Sequence, residues 1–248
     1  MGRYQPVLNI GENGIPIISN EELDTIGERL VADFSPSLVF SPKEIDIDRF
    51  VTRYLSLKQD FYLLSHCGVY LGTTVFQTTD FLPIYDPDTR RAEYAHADAG
   101  TVIIDSTLLE EAQEHRYRFT MGHEGSHSIL HPSYYLNTIG VDDEERQFAY
   151  VRCRADFSVS SETVRHNRYH LSDKKRLEQQ ANRLASAILM PRCSVKMALA
   201  RVPNRGHRDW GLFAAQRLSE IFNVSHEAAF YRLKELGYID RLTPYPAL

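Results

Sequence analysis

The residues best suited to chemistry form the segment His123-Glu124-Gly125-Ser126-His127. Residues four apart share one face of an α-helix, so His123 and His127 could both bind a single zinc ion. Glu124, rotated away from them, could take a proton from a water molecule that the ion activates for attack on a carbonyl. The pattern predicts a hydrolytic metal centre that holds Zn²⁺, with manganese or iron as substitutes. The alternative is an exposed helix face that carries two solvated histidines.

A catalytic zinc ion needs a third protein ligand and an open fourth position. Glu178 is the only acid on the inner half of the next long predicted helix, and Asn182 lies four residues further on. A glutamate ligand with a neighbouring amide would complete a site of two histidines and one carboxylate. Taken alone, however, Glu178 would sooner be interpreted as a surface glutamate. His131 follows His127 too closely to be a third ligand of the metzincin type, so we expect it beside a ligand or at the helix end.

Hydrophobic periodicity predicts the elements that must position these residues. Helices are expected over residues 21–34, 47–57, 173–190, 211–222 and 225–236, and short strands over residues 61–64, 68–77, 82–85 and 101–104. Residues 107–110 fit a capping box, which predicts a helix that continues, with a break near Gly122, to Leu130. Pro132 should end that helix. Residues 133–171 are polar and are expected to be irregular.

The bulk composition is that of an ordinary soluble protein, with 43% hydrophobic and 25% charged residues in 248. A net charge of −5 gives no reason to expect a general nucleic-acid-binding surface. Apolar runs are too short for a transmembrane helix, and the first residues lack the apolar core of a signal peptide. The three scattered cysteines argue against a disulfide framework. We therefore expect a cytoplasmic protein with no membrane contact.

Three blocks of sequence resemble the ImmA/IrrE family of metallo-endopeptidases. The first runs from Arg118 to His127 and continues in Ile129-Leu130-His131. The second is Glu178-Gln179-Gln180-Ala181-Asn182-Arg183-Leu184-Ala185, which leads to Ile188-Leu189-Met190-Pro191. The third comprises Phe222-Asn223-Val224-Ser225, Ala228-Ala229, Arg232-Leu233 and Leu236-Gly237. Together the blocks cover roughly residues 100 to 240 in the family's order, and the last two are independent of the zinc motif.

The resemblance implies an α+β, zincin-like fold, in which a small twisted mixed sheet packs on an active-site helix and a glutamate-bearing helix, with extra N- and C-terminal helices. It also implies His123, His127 and Glu178 as zinc ligands and Glu124 as general base. The family's substrates are helix-turn-helix repressors of mobile elements or stress genes, so the expected partner is such a protein. We divide the chain into an N-terminal arm with helices (1–60), a metallopeptidase core (61–203) and a C-terminal helical segment similar to a helix-turn-helix (204–248).

Two departures from the family pattern leave alternatives open. Gly125-Ser126 stands where the family has a larger apolar residue followed by glycine, which predicts a softer helix. The interval between His127 and Glu178 is also long, so residues 133–171 could form a lid or a regulatory insert. The same interval keeps Glu162 as a rival third ligand.

Two other functions compete with proteolysis. The protein could sequester a repressor without cutting it, although the intact His-Glu-His triad argues against that role. The C-terminal helices could bind DNA, since residues 224–233 resemble half of a helix-turn-helix. Because Glu227 and Glu235 accompany Arg232 and Lys234, that face is not strongly basic, and a packing role is favoured over DNA binding.

Overall fold

The structure, a computed structural model, describes residues 3–137, 150–154, 168–202, 209–240 and 242–246. The helices are α1 (Asn20–Phe34), α2 (Ser37–Phe40), α3 (Ile47–Arg49), α4 (Glu114–Leu130), α5 (Pro132–Leu136), α6 (Arg168–Leu189), α7 (Arg192–Leu199), α8 (Trp210–Phe222) and α9 (His226–Glu235). The strands are β1 (Lys58–Tyr62), β2 (Tyr70–Val75), β3 (Thr79–Asp86), β4 (Arg91–Ala97), β5 (Thr101–Asp105) and β6 (Tyr150–Arg154). A π-helical turn, Phe50–Tyr54, follows α3. No helix in these ranges is long and apolar enough to cross a membrane.

Four strands form a mixed sheet in the order β1-β5-β2-β6, with β1 parallel to β5 and the other pairs antiparallel. Successive residues of β5 point to opposite faces. Val102 and Ile104 join the apolar cluster beneath the helices, whereas Ile103 joins Leu82 and Ala97 of the β3–β4 hairpin. The central strand is therefore covered on both faces. The predicted α+β class with a small mixed sheet is confirmed, and the arrangement is compatible with a zincin-like fold.

One apolar cluster joins the helices on the other side of the sheet. Leu30 of α1, Met121 of α4, Leu184 of α6, Leu218 of α8 and Leu233 of α9 all belong to it, and each is at most 1% exposed. In α1 and α6 the buried apolar residues recur every three to four positions, and burial of such stripes holds the helices together. The cluster includes residues of the predicted N-terminal, core and C-terminal segments. The boundaries between these segments remain a prediction.

Three of the helix predictions are wrong in detail. Residues 107–110 do not open a helix through a Thr107 capping box, because Asp105 caps this turn itself. Its carboxylate accepts the Thr107 N–H at 3.0 Å and also the Leu64 N–H at 2.8 Å, and a 3₁₀ turn, Ser106–Leu109, follows. The helix predicted over residues 47–57 ends early, because α3 and the π-helical turn reach only Tyr54 and Ser56 takes a φ of +60°. The break predicted near Gly122 is absent, since α4 runs continuously from Glu114 to Leu130.

The elements that were not predicted from the sequence are helices α2, α5 and α7 and strands β4 and β6. Strand β4 is almost wholly exposed, so it shows no apolar alternation and depends on pairing with β3. Strand β6 lies in the stretch predicted to be irregular and is held by the backbone of β2. Helix α7 begins directly after Pro191, where the previous helix was correctly expected to stop.

Candidate metal centre

Helix α4 carries the histidine motif through the interior of the protein. It packs against β2 on one side and α6 on the other, so its second half is enclosed on both sides. His123, Glu124, His127 and His131 are all fully buried. Side chains of this polarity stay buried only when they are paired with one another or bind an ion.

Helix α6 brings Glu178 to the two histidines. The Nε2 atoms of His123 and His127 are 3.0 Å apart, and they lie 3.2 and 3.4 Å from the two Glu178 carboxylate oxygens. Tetrahedral ligands with bonds of about 2.0–2.1 Å are separated by about 3.3 Å from one another. The three side chains, whose ligand atoms all lie within 4.8 Å of one another, therefore fit a divalent metal ion such as zinc.

The electrostatics favour the ligand form of two of these groups, His127 and Glu178. Burial lowers the pKa of His127, which favours its neutral imidazole. Burial alone would raise the pKa of Glu178, but the neighbouring His127 and His123 outweigh it and hold that pKa well below its usual range. A neutral imidazole and an ionised carboxylate are the forms that bind metals.

The structure places Asn182 and His131 against the outer nitrogens of the two histidines. His123 Nδ1 lies 2.8 Å from Asn182 Oδ1, and His127 Nδ1 lies 2.9 Å from His131 Nδ1. Gln180, which the sequence reasoning missed, lies 3.1 Å from His131 Nε2 through its Oε1 atom. Burial lowers the pKa of His131 well below its usual range, so the ring stays neutral. Contacts of this kind fix the orientation of metal-ligating imidazoles.

Glu124 points to the sheet side of the same site. Its Oε2 accepts a 2.5 Å hydrogen bond from the Thr74 hydroxyl of β2, whereas Oε1 has no hydrogen-bond partner among the described residues. Burial raises the pKa of Glu124 to about 8, and the charge of Glu178 adds to this effect. This raised pKa favours the protonated acid. A positive charge nearby would lower the pKa again and favour the ionised carboxylate. A buried carboxylate oxygen without a partner beside three ligand-type side chains fits a site that receives water and a cation.

Strand β2 leaves room for this carboxylate. A Cβ atom on Gly72 would lie only 2.7 Å from Glu124 Oε1. Gly72 and Thr74 are two residues apart on the strand, so both face α4. A glycine and a threonine at this spacing in a buried strand were the available signal, and the sequence reasoning did not use it.

A groove of about 950 Å³ adjoins the centre, because Asn182 is one of the residues that line it. Its other walls come from α4 and α9, and the lining includes Arg116, Thr120, Arg183, Tyr231 and Lys234. Helix α9 thus forms one side of a groove that borders Asn182, and none of the three ligand-type side chains lines it.

Glu162, the rival third ligand, lies outside the described residues, and so does most of the interval 133–171 that was considered as a lid or regulatory insert.

A family model matches part of the chain. It is that of peptidase M78, described as the IrrE N-terminal-like domain, and it matches residues 159–234. The matched span contains Glu178, Asn182 and the helices α7 to α9, and it begins after His127. A search of curated proteins found no match.

Proposed function

We propose that this chain, whose assignment to the ImmA/IrrE metallopeptidase family the match over residues 159–234 supports, is a zinc-dependent endopeptidase. The observation that carries the proposal is the convergence of three ligand-type atoms within 4.8 Å, with the unpartnered Glu124 carboxylate oxygen in the same buried site. His123, His127 and Glu178 would hold the ion, and Glu124 would be the general base.

When bound, a zinc ion supplies Lewis acidity that activates water and polarises a peptide carbonyl. Glu124 Oε1 would take a proton from the attacking water and return it to the leaving amine nitrogen. The Thr74 hydroxyl would hold Oε2 of Glu124 by its hydrogen bond, which fixes the orientation of the carboxylate and therefore the position of Oε1. The buried surroundings exclude competing solvent and strengthen each of these interactions.

The substrate we propose is a helix-turn-helix repressor of a mobile element or of a stress response, in the cytoplasm. Support for this substrate comes from the resemblance of three sequence blocks to the ImmA/IrrE family, which is an argument by analogy. A polypeptide could lie in the groove of about 950 Å³, whose lining residues come from α4, α6 and α9 among other elements.

The test uses the protein with the repressor encoded by the neighbouring gene. Wild-type protein should cut the repressor, a chelator should abolish cleavage, and added zinc should restore it. Glu124→Gln should fold and bind zinc but lose cleavage, because an amide cannot accept the proton. Glu111→Gln, on the exposed turn before α4, is the matched control and should cut normally. Cleavage by Glu124→Gln at the wild-type rate would refute the assignment of the base.

The non-proteolytic alternative predicts a different result in the same assay. A protein that only sequesters its partner should bind the repressor and release no product peptides, and Glu124→Gln should behave as the wild type.

Direct DNA binding is disfavoured by the contacts of α9. Arg232 is fully buried and donates to Asp24 at 2.8 Å, and Lys234 lies over the rings of Phe230 and Tyr231. These cations are engaged within the protein. Salt-sensitive gel-shift binding would be the result that favours a DNA-binding role.

A further inference from the structure

We propose that the N-terminal arm, residues 10–17, is part of the metal centre and acts through Gln180 and His131 to orient His127. The inference rests on the metal site proposed above. Its positioning residues are Gln180, His131 and Pro16, and Pro16 contributes only its backbone carbonyl.

The arm is a tight turn held between α5 and α6. Ile10 and Pro16 form a bridge, and Gly14 lies at a φ of +81°, a conformation that favours glycine. A Cβ atom on Gly14 would lie 2.9 Å from both the Ser133 carbonyl oxygen and the Tyr134 Cα atom. Ile15 is fully buried in a small cluster with Tyr134 and other residues of α5 and α6. The arm therefore has little freedom to move without disturbing α5.

A chain of hydrogen bonds connects the arm to His127. Gln180 Nε2 donates to the Pro16 carbonyl oxygen at 2.8 Å, and Gln180 Oε1 lies 3.1 Å from His131 Nε2. His131 Nδ1 lies 2.9 Å from His127 Nδ1. Gln180, His131 and His127 are all buried, so solvent does not compete for these bonds.

The Pro16 carbonyl determines the direction of every bond in this chain, because a carbonyl oxygen can only accept. It requires the Gln180 amide group on its side, which leaves Oε1 to accept a proton from His131 Nε2. The Nδ1 atom of His131 is then an acceptor, so the proton between the two rings belongs to His127 Nδ1. His127 is left with the lone pair of Nε2, the atom that faces Glu178 and His123. A backbone carbonyl of the arm thus fixes the tautomer that a metal ligand requires.

The first test measures zinc affinity by competition with a chromophoric chelator. This measurement does not depend on proteolysis. Gln180→Leu removes both of its hydrogen bonds and should weaken zinc binding by about 10–100-fold. Gln180→Glu keeps an acceptor for His131 but loses the donor to Pro16. Its zinc affinity should therefore lie between those of Gln180→Leu and the wild type. Gln179→Leu, at the exposed neighbouring position, should leave the affinity unchanged. An affinity within twofold of the wild type for both Gln180 variants would overturn the proposal.

The arm is tested separately by Gly14→Ala. The added methyl group should displace the arm from α5 and weaken zinc binding in the same direction as Gln180→Leu. Gly100→Ala is the matched control, because Gly100 also has a positive φ, of +74°, but a Cβ atom there meets nothing within 4 Å. If the arm acts through Gln180, the double variant Gly14→Ala/Gln180→Leu should be no weaker than the weaker single variant. Additive losses would show that the arm acts by another route and would overturn the proposal.

Nitrogen NMR of the wild-type protein gives a readout that needs no variant. The proposal expects a proton on Nε2 of His131 and on Nδ1 of His127, with and without zinc. A proton on Nδ1 of His131 would overturn it, whether or not the protein binds zinc and cuts its substrate. Absence of zinc binding by the wild type would instead refute the proposed function.

Discussion

Replacing Gly72 by alanine should impair catalysis and leave metal binding intact. The added methyl group would lie 2.7 Å from Glu124 Oε1, 2.7 Å from Thr120 Cγ2 and 2.9 Å from Glu124 Cγ. The contact is with the proposed base, and none of these three atoms belongs to a proposed ligand. The substitution therefore acts on proton transfer more than on the ion.

The size of the effect follows from these distances. Carbon atoms in good contact are about 3.5–4.0 Å apart, so the methyl group overlaps its neighbours by close to 1 Å. The flexible end of Glu124 can relieve the overlap only by moving a similar distance. A misplacement of about 1 Å at a reacting group costs about 10²-fold in rate, and overpacking of this kind costs about 1–3 kcal/mol of stability.

The assay compares kcat for repressor cleavage with zinc affinity for the same variant. Gly122→Ala is the matched control, since it lies beside His123 but its Cβ atom would meet Ala185 Cβ at an ordinary 3.6 Å. It should retain activity and gain up to about 1 kcal/mol from helix propensity. Wild-type kcat in Gly72→Ala, or equal losses in both variants, would refute the steric reasoning.

Three further outcomes are expected. Thr74→Val removes the hydroxyl donor to Glu124 and should lower kcat about tenfold by general-base misplacement, with zinc affinity unchanged in the chelator assay. Asp24→Asn leaves the buried Arg183 and Arg232 without their shared carboxylate, and should lower the free energy of unfolding in urea by about 3–5 kcal/mol. In metal-free protein the pKa of Glu124 is about 8, above its ordinary 4.5, so the folded state binds this proton more tightly than the unfolded state. That stabilisation is complete below pH 4.5 and is lost as the pH rises towards 8, so metal-free Glu124→Gln should gain stability relative to the wild type over this window. Identical pH dependence of denaturation in the two proteins would contradict the shifted pKa.

The sequence could predict the contacts that follow from helix geometry. His123 and His127 share a face because they are four residues apart, and the same rule puts Asn182 beside Glu178. The apolar stripes of α1 and α6 also follow directly from periodicity. Local spacing carries this information, so no tertiary structure was needed to find it.

Contacts made across the fold could not be predicted in the same way. Thr74 reaches Glu124 from a strand 50 residues away, and Gln180 reaches Pro16 across 164 residues. The local sequence around Thr74 or Gln180 does not indicate which distant residue each of them contacts. The helix predicted to begin at Thr107 is wrong for a related reason, because the contact that holds Asp105 against Leu64 joins residues 41 apart and leaves no local pattern.

The buried ion pairs of α9 have a consequence for synthesis. Asp24 of α1 binds Arg232 across 208 residues, and Arg183 of α6 shares the same carboxylate. Chains emerge from the ribosome from the N-terminus, so Asp24 and Arg183 are made long before Arg232 and Glu235. Before α9 is made, Asp24 can pair with Arg183 alone, and the contacts of this network with Arg232 and Glu235 are missing. All three proposed ligands are translated before α9, so truncation before α9 should lower the stability of the scaffold around the metal centre without removing a ligand.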